Sequence, residues 1–528
     1  MAVYAKQFSL KQTPQSQPIP GKKMTKNSAS GYSFETDKWE QLNRFLILGT
    51  EGGTFYIKEQ KLTKENANTV MKCIKEDGVR VVDTIVEVSD NGRAPKNDPA
   101  IFALALVTAV GDAEAKKAAY QAIPKVCRIG THIFQFCDDI QNLRGWSRGL
   151  RNGVAGYYKN KSPDKLAYHL IKYQQRNGWT HKDVIRLTHP KVSGKANDLL
   201  SYAVGKAKVD VHPQIQAANS LKTITKASRV AQIIVDNRLP REAIPTELLN
   251  KVEIWEALLQ DMPLTALVRN LGKMTSIGLL GGNLSAHTKT VVNKLKDKEV
   301  IKRSRIHPLQ VLVAMKTYGQ GKGMKGSLSW SPVAKIVDAL DSAFYAAFDN
   351  VKPTNQNWLL ACDVSGSMGC NWGGGIAGMP LSPMEASAAM AMVTARTEPN
   401  HEIVAFSHEM VPVSLSPRQR LDDVISTMAA IRMGGTDCAL PMIHALEKKI
   451  PVDTFVVYTD SETWYGQIHP KQALDQYRQK MGIPAKLVVV GMEGNNFTIA
   501  DPNDAGMLDV VGFNTAVPTV LNEFSRGL

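Results

Sequence analysis

The chain has 528 residues, a formal net charge of +15, 43% hydrophobic residues and 7% aromatic residues, a composition typical of globular proteins. At roughly 100 to 200 residues per domain, this length predicts two to four domains with large cores. The longest nearly apolar run, Ile101 to Val110, is half of the roughly 20 residues that cross a bilayer. The N-terminus is polar and has no cleavable apolar stretch. These features argue against a membrane or secreted protein.

The arrangement of the cysteines also favours an intracellular protein. They are scattered along the chain without a CxxC pair, which predicts neither a disulfide framework nor a zinc site and favours the cytoplasm. The six are Cys73, Cys127, Cys137, Cys362, Cys370 and Cys438.

Positive charge is concentrated in the first two thirds of the chain. Residues 361–528 contain 11 Lys and Arg against 18 Asp and Glu, a net charge of −7, so residues 1–360 carry +22. Residues 144–195 alone contain 12 Lys and Arg against two Asp. Such a field attracts polyanions such as nucleic acid. The alternative for this segment alone is a well-solvated surface without a ligand.

Three regions follow one another along the chain. Residues 1–30 are rich in Lys, Gln, Ser, Thr and Pro without apolar periodicity, which predicts a flexible arm. Residues 31–355 read as short amphipathic helices, which predicts helix pairs stacked as a solenoid. The helices expected there include Glu65 to Glu76, Pro99 to Val110, Ala113 to Ile123, Pro163 to Arg176, His181 to Thr188, Glu247 to Gln260, Ser285 to Leu295 and Pro332 to Phe348.

Residues 356–528 have a different pattern, in which apolar runs of strand length alternate with helical stretches. Buried strands between helices predict an α/β domain with a doubly wound parallel sheet covered on both faces. The expected strands are Trp358 to Ala361, Ile403 to Phe406, Thr454 to Tyr458 and Lys486 to Val490. The expected helices are Pro383 to Thr397, Pro417 to Ile431, Ala439 to Lys449 and Pro470 to Met481.

Two successive helices carry the basic cluster. Ser162 and Pro163 predict a helix start, and Lys165, His169, Lys172 and Arg176 follow at helical spacing on one face. Thr180 caps the next helix, where Lys182, Arg186 and His189 repeat the spacing. This surface is typical of a platform for a nucleic-acid backbone. Single residues have plainer interpretations: His181 as a surface or capping residue, Trp146 and Trp179 as core anchors.

Oxygen-bearing loops follow two of the expected strands. Asp363, Ser365 and Ser367 alternate directly after the first strand, Thr436 precedes a helix, and Asp460 follows a later strand. Ligands of a doubly wound sheet lie beyond the carboxyl ends of its strands. One or two carboxylates with hydroxyls and water are the ligand set of Mg²⁺ or another hard divalent cation. An empty site of this shape is the alternative.

These five positions resemble the metal-ion-dependent adhesion site (MIDAS) of von Willebrand factor A domains. The resemblance implies that the two serines and Thr436 touch the metal and that Asp363 and Asp460 act through water. Ser461 stands where that family usually has Gly.

An enzymatic role for the same loop is a weaker interpretation. A phosphotransferase with Asp363 as nucleophile generally has a second carboxylate two residues later, and Ser365 occupies that position. The serines also lack the G-x-S-x-G pattern of a hydrolase elbow. We therefore expect a protein without catalytic activity.

Nearly the whole chain beyond the arm resembles the Ro autoantigen family, which combines a TROVE module with an A domain. The segments that carry the resemblance are Arg44 to Leu46, Glu51 to Leu62, Lys172 to Trp179, Met262 to Leu267, Arg269 to Met274, Arg305 to Pro308, Gly434 to Cys438 and Phe497 to Pro502.

The resemblance implies a ring of HEAT-like helical repeats closed by the A domain. It implies an outer basic surface that binds Y RNA-like small noncoding RNAs and a hole that accepts single-stranded ends of misfolded RNAs. Lys172, Arg176 and His189 match the family's RNA-binding segment. His181, Lys182, Arg186 and Arg148 are neighbours from the charge pattern, and Arg269 and Lys273 are candidates for the hole.

The predicted function is therefore RNA binding in noncoding-RNA quality control, with a Mg²⁺-dependent docking site for a partner. An open metal position normally captures a carboxylate from a protein partner, such as an exoribonuclease or another RNA-processing factor. The alternative is a metal-dependent adhesion or assembly factor whose helices bind protein and have no specific RNA ligand.

Overall fold

A computed structural model describes residues 12–49, 67–323, 327–348, 352–369, 381–431 and 434–527. The chain forms two compact units. The first comprises Met1–Thr69, Arg93–Lys96 and Phe348–Leu528, and the second comprises Val70–Gly92 and Asn97–Ala347. Residues 1–11, the family segment Glu51 to Leu62 and Cys370 lie outside the described residues.

The N-terminal segment belongs to the first unit. It forms strands β1 (Met24–Lys26) and β2 (Tyr32–Glu35) and helix α1 (Lys38–Leu48). β2 pairs antiparallel with β1 and with residues Phe497–Thr498 far along the chain. Gln15 is completely buried. The prediction of a flexible arm is therefore wrong for residues 12–30, because these residues find partners that lie more than 400 positions away.

Helix α1 is joined to the same unit by a buried charge. Arg44 Nη1 donates a hydrogen bond to the Asn495 carbonyl at 2.8 Å, and Arg44 Nη2 lies 2.5 Å from Asp509 Oδ2. An unpaired guanidinium is too costly to bury, so this pairing holds α1 against the C-terminal sheet. Residues 31–49 therefore group with the sheet and not with the helices, which differs from the predicted boundary.

The second unit is helical, as predicted. Its helices pack largely against the next helix or the next but one, for example α3 on α4 and α5, and α4 on α6. Its elements are α2 (Asn68–Asp90), α3 (Asp98–Val110), α4 (Ala113–Val126), α5 (Gly130–Leu143), α6 (Arg148–Lys159), α7 (Pro163–Lys172), β3 (Gln175–Arg176), β4 (Trp179–Thr180), α8 (His181–Thr188), α9 (Lys195–Ala203), α10 (Pro213–Ser220), α11 (Ala227–Asn237), α12 (Val252–Asp261), α13 (Leu264–Ser276), α14 (Ala286–Lys296), α15 (Lys298–Ser304), α16 (Pro308–Gly319) and α17 (Ala334–Ala346).

Most predicted helices are present with small changes at their ends. α8 has the predicted limits, whereas α12 begins at Val252 because Thr246–Asn250 forms a 3₁₀ turn. Within the described ranges, no helix is long and apolar enough to cross a membrane. The five described cysteines are buried and form no disulfide bonds with one another.

The rest of the first unit is the predicted α/β domain. Its main sheet has the order β11-β9-β8-β5-β6-β7, parallel except for β7, and both β5 and β8 are buried along their whole length. Its elements are β5 (Trp358–Asp363), α18 (Gly366–Gly369), α19 (Pro383–Thr397), β6 (His401–Phe406), β7 (Met410–Val411), α20 (Leu421–Ala429), α21 (Leu440–Lys448), β8 (Thr454–Thr459), α22 (Pro470–Met481), β9 (Lys486–Gly491), β10 (Phe497–Thr498), β11 (Met507–Val511) and α23 (Val517–Arg526).

The strand order places two carboxyl ends beside each other. The chain leaves β5 to form β6 on one side and later returns to form β8 on the other side. Parallel sheets bind ligands at such a reversal of strand order. The loops after β5 and β8 therefore meet at one edge of the sheet.

Candidate RNA interface and metal site

Helix α7 ends earlier than the sequence predicts. Ser162 caps it and Pro163 occupies its first turn, as expected, but the last helical residue is Lys172. The Lys172 ammonium donates to the Tyr168 hydroxyl at 3.2 Å and lies 5.7 Å from the centre of the Tyr173 ring. Its ammonium is thus held near two tyrosine side chains at the end of the helix.

Arg176 lies on a hairpin and not on the helix. β3 and β4 pair antiparallel with Arg176 opposite Trp179, and the turn residues Asn177 and Gly178 have φ of 50° and 80°. Asn-Gly is the sequence that favours two left-handed residues in a tight hairpin turn. Arg176 remains half exposed, with its guanidinium 3.6 Å from a carboxylate oxygen of Asp98.

The basic residues of α8 point to solvent. Thr180 and Asp183 form a capping box at its start. Lys182 and Arg186 are exposed, and His189 is exposed in a left-handed conformation just after the helix. Arg148, at the start of α6, is exposed as well. Lys172, Lys182, Arg186 and Arg148 form no ion pair with any residue that the structure describes, so their charge is available to a ligand.

Two histidines predicted at the basic surface are buried. His181 is 5% exposed and contacts the Tyr158 hydroxyl at 3.0 Å through Nδ1, and His169 contacts the Tyr157 hydroxyl at 2.7 Å. Burial lowers the pKa of His181 to about 4 and that of His169 to about 3. Both rings are neutral near pH 7, so the expectation that they add to the basic face is wrong. Both imidazole rings instead pack beneath the surface, where each contacts a tyrosine hydroxyl.

The two candidates for the hole lie on another helix. Arg269 is exposed on α13, and Lys273, one turn later, donates to the Asn250 side chain at 2.7 Å. α13 packs against α12, α14, α15 and α16. The structure places both residues on one helix, and their role stays a prediction.

Two buried carboxylates lie at the ends of β5 and β8. Asp363 accepts from the Ser365 amide at 2.8 Å and from the Thr459 hydroxyl at 2.6 Å. Asp460 accepts from the Glu462 amide at 3.0 Å. Burial raises the pKa of both carboxyls, and the charge of Asp460 raises that of Asp363 further. Two carboxylates held in this way favour a bound proton or cation.

Hydroxyl groups surround the carboxylates. The Ser365 and Ser367 hydroxyls are 3.1 Å apart and buried, and Thr436 is buried in the loop before α21. Asp460 Oδ2 and Ser461 Oγ are buried without a hydrogen-bond partner among the described residues. Ser461 has a φ of 60°, a conformation that suits glycine. The backbone at Ser461 therefore has a conformation that would accept the Gly expected from the resemblance to A domains.

The candidate metal site contains few carboxylates. In the described part of the chain, no group of three or more His, Cys, Asp and Glu side chains is arranged to hold a metal ion. The candidate site instead combines two carboxylates with three hydroxyl groups. The candidate metal site therefore depends on its oxygen geometry.

Comparison with known proteins bears on both regions. Residues 25–231 and 235–317 match the TROVE domain, and residues 357–525 match the Ro60 vWA domain. The RNA-binding protein RO60 of Deinococcus radiodurans is 42% identical over 513 residues, which cover 96% of each chain. The chain belongs to the Ro60 family. RNA-binding protein RO60 of Caenorhabditis elegans is 34% identical over 95% of this chain and 90% of its own length.

A solved structure of the Ro60 family supports the same fold. The crystal structure of the Deinococcus radiodurans RO (RSR) protein matches with a TM-score of 0.70 and covers 93% of this chain and 100% of that chain. The family resemblance inferred from sequence segments is confirmed, as is the combination of a helical region with an A domain.

Two features near the candidate metal site of this Ro60-family chain were not predicted from the sequence. Trp464 and Tyr465 are 39% and 47% exposed on the loop that follows Asp460, and both amides donate to the Thr436 carbonyl at 3.1 Å. Gln15 is buried against the same loop. A Trp-Tyr pair immediately after the metal motif is a signal that could have been noticed, whereas nothing local marks Gln15.

Proposed function

We propose that this Ro60-family protein binds RNA, namely Y RNA-like small noncoding RNAs and single-stranded ends of misfolded RNAs, in cytoplasmic RNA quality control. The observation that carries the proposal is the set of exposed cations on α6, the β3–β4 hairpin and α8, elements that pack on one another or on α5. The names of the RO60 relatives, which describe RNA-binding proteins, support it.

The chemistry of these cations favours phosphate contacts over base reading. Lysine and arginine side chains on exposed surfaces neutralise phosphates and release counterions, which makes affinity depend strongly on salt. Contacts of this kind fix the position of the RNA and carry little sequence information. Recognition of a small RNA by this surface would therefore depend on its shape.

The test uses the full chain and two labelled probes, an oligo(U) single strand and a hairpin RNA with a bulged stem. Lys172, Arg176 and His189 are changed together to Ala, and binding is measured by fluorescence anisotropy as salt is raised. We expect at least a tenfold loss of affinity. The salt slope should also become less steep by about 0.7 for each lost phosphate contact to a single strand.

A matched control removes three exposed lysines elsewhere in the helical unit, Lys289, Lys296 and Lys298. If this control loses as much affinity as the first variant, the effect is one of bulk charge and the site assignment is wrong. Cross-linking of bound RNA in cells, with the same two variants, identifies the RNA. If the wild-type chain recovers no RNA, a protein-binding factor becomes the better interpretation.

We further propose that the A domain holds Mg²⁺ or another hard divalent cation. Ser365, Ser367 and Thr436 would supply hydroxyl ligands, with Asp363 and Asp460 acting through water. Asp460 Oδ2 and Ser461 Oγ, which are buried and have no hydrogen-bond partner in the described part of the chain, support this, because a buried polar atom without a partner is costly and oxygen ligands suit a hard cation. When bound, the cation provides a position that a partner carboxylate can occupy.

The same geometry favours docking over catalysis. Both oxygens of Asp363 already accept hydrogen bonds, from the Ser365 amide and the Thr459 hydroxyl, which makes this carboxylate a poor nucleophile. The exposed Trp464 and Tyr465 beside the site are the residue types that anchor protein interfaces. We therefore propose a protein partner, such as an exoribonuclease or another RNA-processing factor, that inserts an Asp or Glu.

Titration with MgCl₂ in a calorimeter tests the metal proposal. We expect saturable binding to the wild-type chain and at least a tenfold loss in Ser367→Ala, whose hydroxyl lies among the predicted ligands. Ser426→Ala, on the exposed face of α20, is the control and should bind as the wild type does. Equal affinities of all three chains would exclude these residues as the metal site.

A further inference from the structure

Residues 13–35, here called the N-terminal strap, bind the loop that follows β8. Asn27 donates to the Thr463 carbonyl at 2.8 Å, the Ala29 amide donates to Glu462 at 2.9 Å, and Ser33 donates to the Ser461 carbonyl at 3.1 Å. Three successive loop residues are therefore held by the strap. They come directly after Asp460, one of the predicted metal ligands.

Gln15 connects this loop to a second one. Its side-chain nitrogen donates to the Asp437 carboxylate and to the Ile468 carbonyl, each at 2.8 Å. Its side-chain oxygen accepts from the Thr463 hydroxyl at 2.5 Å and from the Gly466 amide at 3.2 Å. A carboxamide has two donors and two acceptor positions, and here all four are used inside the protein.

The two loops are those of the candidate metal site. Asp437 adjoins Thr436, and Thr463 lies three positions after Asp460. The space between them is tightly filled: a Cβ at Gly466 would lie 2.4 Å from an Asp437 oxygen and 2.5 Å from the Gln15 nitrogen. A side chain at position 466 would therefore collide with both groups, and the Gln15 side chain spans the gap between the two loops.

We propose that Gln15 is a positioning residue of the metal site, and that its carboxamide sets the spacing between the Thr436 loop and the Asp460 loop. This inference rests on the proposed Mg²⁺ site. A hard cation such as Mg²⁺ demands near-ideal geometry from its ligands, so the loops that carry them must be held in register. Partners that orient metal ligands typically change metal affinity about 10- to 100-fold when they are removed.

The bonds that Gln15 makes are buried and far apart in sequence. Its partners Asp437 and Thr463 lie 422 and 448 positions away. Without Gln15, a carboxylate, a hydroxyl, a carbonyl and an amide would each lose a partner in a buried environment. We expect the two loops to separate or to admit water, while the main sheet, which does not depend on Gln15, stays intact.

The first experiment compares Gln15→Ala with Gln17→Ala in the full chain. Gln17 is the same residue type on the same strap, but its side chain is exposed. Calorimetry with MgCl₂ should show 10- to 100-fold weaker binding for Gln15→Ala and wild-type affinity for Gln17→Ala. Without metal, hydrogen exchange at residues 434–438 and 459–466 should be faster in Gln15→Ala alone.

Two further variants separate positioning from general stability. Gln15→Met has nearly the same length without the hydrogen bonds, and it provides the measurement if Gln15→Ala does not fold. Gln15→Glu places a second carboxylate against Asp437, so Mg²⁺ binding should weaken. Adding Asp437→Asn restores a donor between the two side chains and should recover part of the affinity. A role in folding alone would lower the unfolding midpoint and leave Mg²⁺ affinity unchanged in every folded variant.

The outcomes distinguish this inference from the proposal on which it rests. If the wild-type chain binds Mg²⁺ and Gln15→Ala and Gln15→Met bind it equally well, Gln15 is not a positioning residue although the metal site stands. If the wild-type chain does not bind Mg²⁺, the metal site and the positioning role are both wrong. Weaker binding with faster loop exchange, and recovery in the Gln15→Glu, Asp437→Asn pair, supports the inference.

Discussion

The ammonium of Lys172 is held by the hydroxyl of Tyr168, which accepts its hydrogen bond at 3.2 Å one helical turn earlier. The same ammonium lies 5.3 Å from the centre of the Tyr168 ring. A lysine that is already oriented loses less rotamer entropy when it contacts a phosphate. This arrangement distinguishes the half-buried Lys172 from the exposed cations of the candidate RNA interface.

Tyr168→Phe should weaken RNA binding modestly by freeing Lys172. The ring remains and only the acceptor is lost, so we expect a decrease of about two- to fivefold, in line with about 0.5 to 1 kcal/mol for one hydrogen bond. In the background of Lys172→Ala the same change should have no further effect. Anisotropy titrations of the four chains measure this coupling, and additive losses would contradict it.

The buried histidines predict a pH dependence of stability. The folded-state pKa values of His181 and His169 are lowered to about 4 and about 3, whereas an unfolded chain has a histidine pKa of about 6.5. The unfolded state therefore binds more protons below pH 6.5. Stability is fully present above pH 6.5 and falls as the pH drops toward 4, by at most about 1.4 kcal/mol per pH unit for each histidine.

His181→Asn tests this assignment, because the amide keeps a partner for Tyr158 and does not titrate in this range. Urea unfolding followed by circular dichroism at pH 7.5, 6 and 5 should show a shallower decline for the variant than for the wild type. Parallel declines in the two chains would show that His181 is not responsible.

Ser461→Gly should stabilise the metal-free chain. The residue has a φ of 60°, and a residue with a Cβ pays about 1 to 2 kcal/mol in that region. We expect the free energy of unfolding in EDTA to rise by about 1 kcal/mol. Gly482→Ala, at a φ of 66° in the same unit and with open space around the new Cβ, should shift it in the opposite direction. A loss of stability in Ser461→Gly would mean that the Ser461 hydroxyl contributes a contact that outweighs the strain.

Substitution of Arg44 should strongly lower the free energy of unfolding of the first unit. Its side chain is 2% exposed and that of Asp509 is 5% exposed, so Arg44→Met would leave a buried carboxylate without its cation. Breaking a buried ion pair in this way costs about 3 to 5 kcal/mol. The double variant Arg44→Met, Asp509→Leu should recover most of that loss. Denaturant unfolding of the three variants measures the cycle, and equal destabilisation of the single and double variants would rule out charge burial as the cause.

The local sequence was sufficient to predict many of the elements. α8 has the predicted limits because Thr180 and Asp183 form its cap within four residues. α19 also has the predicted limits, Pro383–Thr397, and Ser382 and Glu385 form its capping box. β5 and β8 were predictable because strands buried on both faces are uniformly apolar. The metal motif followed from the same logic, since its side chains come directly after those strands.

The prediction from local sequence was wrong where two local structures compete. The helical spacing of Lys172 and Arg176 predicted one basic helix, but Asn177 and Gly178 favour a hairpin, and contacts of Asn177 with Gln135 and Asp138 stabilise it. His169 fits the basic spacing of the first helix, and His181 adjoins that of the second. Their burial depends on Tyr157 and Tyr158, which lie on a neighbouring helix, and spacing alone contains no information about that.

The amino-acid sequence by itself determined the helical region, the α/β domain, the positive charge of the first part and the order of the oxygen-bearing loops, because these properties depend on neighbours a few residues apart. Only the tertiary structure decided that Gln15 joins the loops of Asp437 and Thr463, that Arg44 pairs with Asp509, and that His181 is neutral. Each of these depends on burial and on hydrogen bonds between residues that meet only in the folded chain.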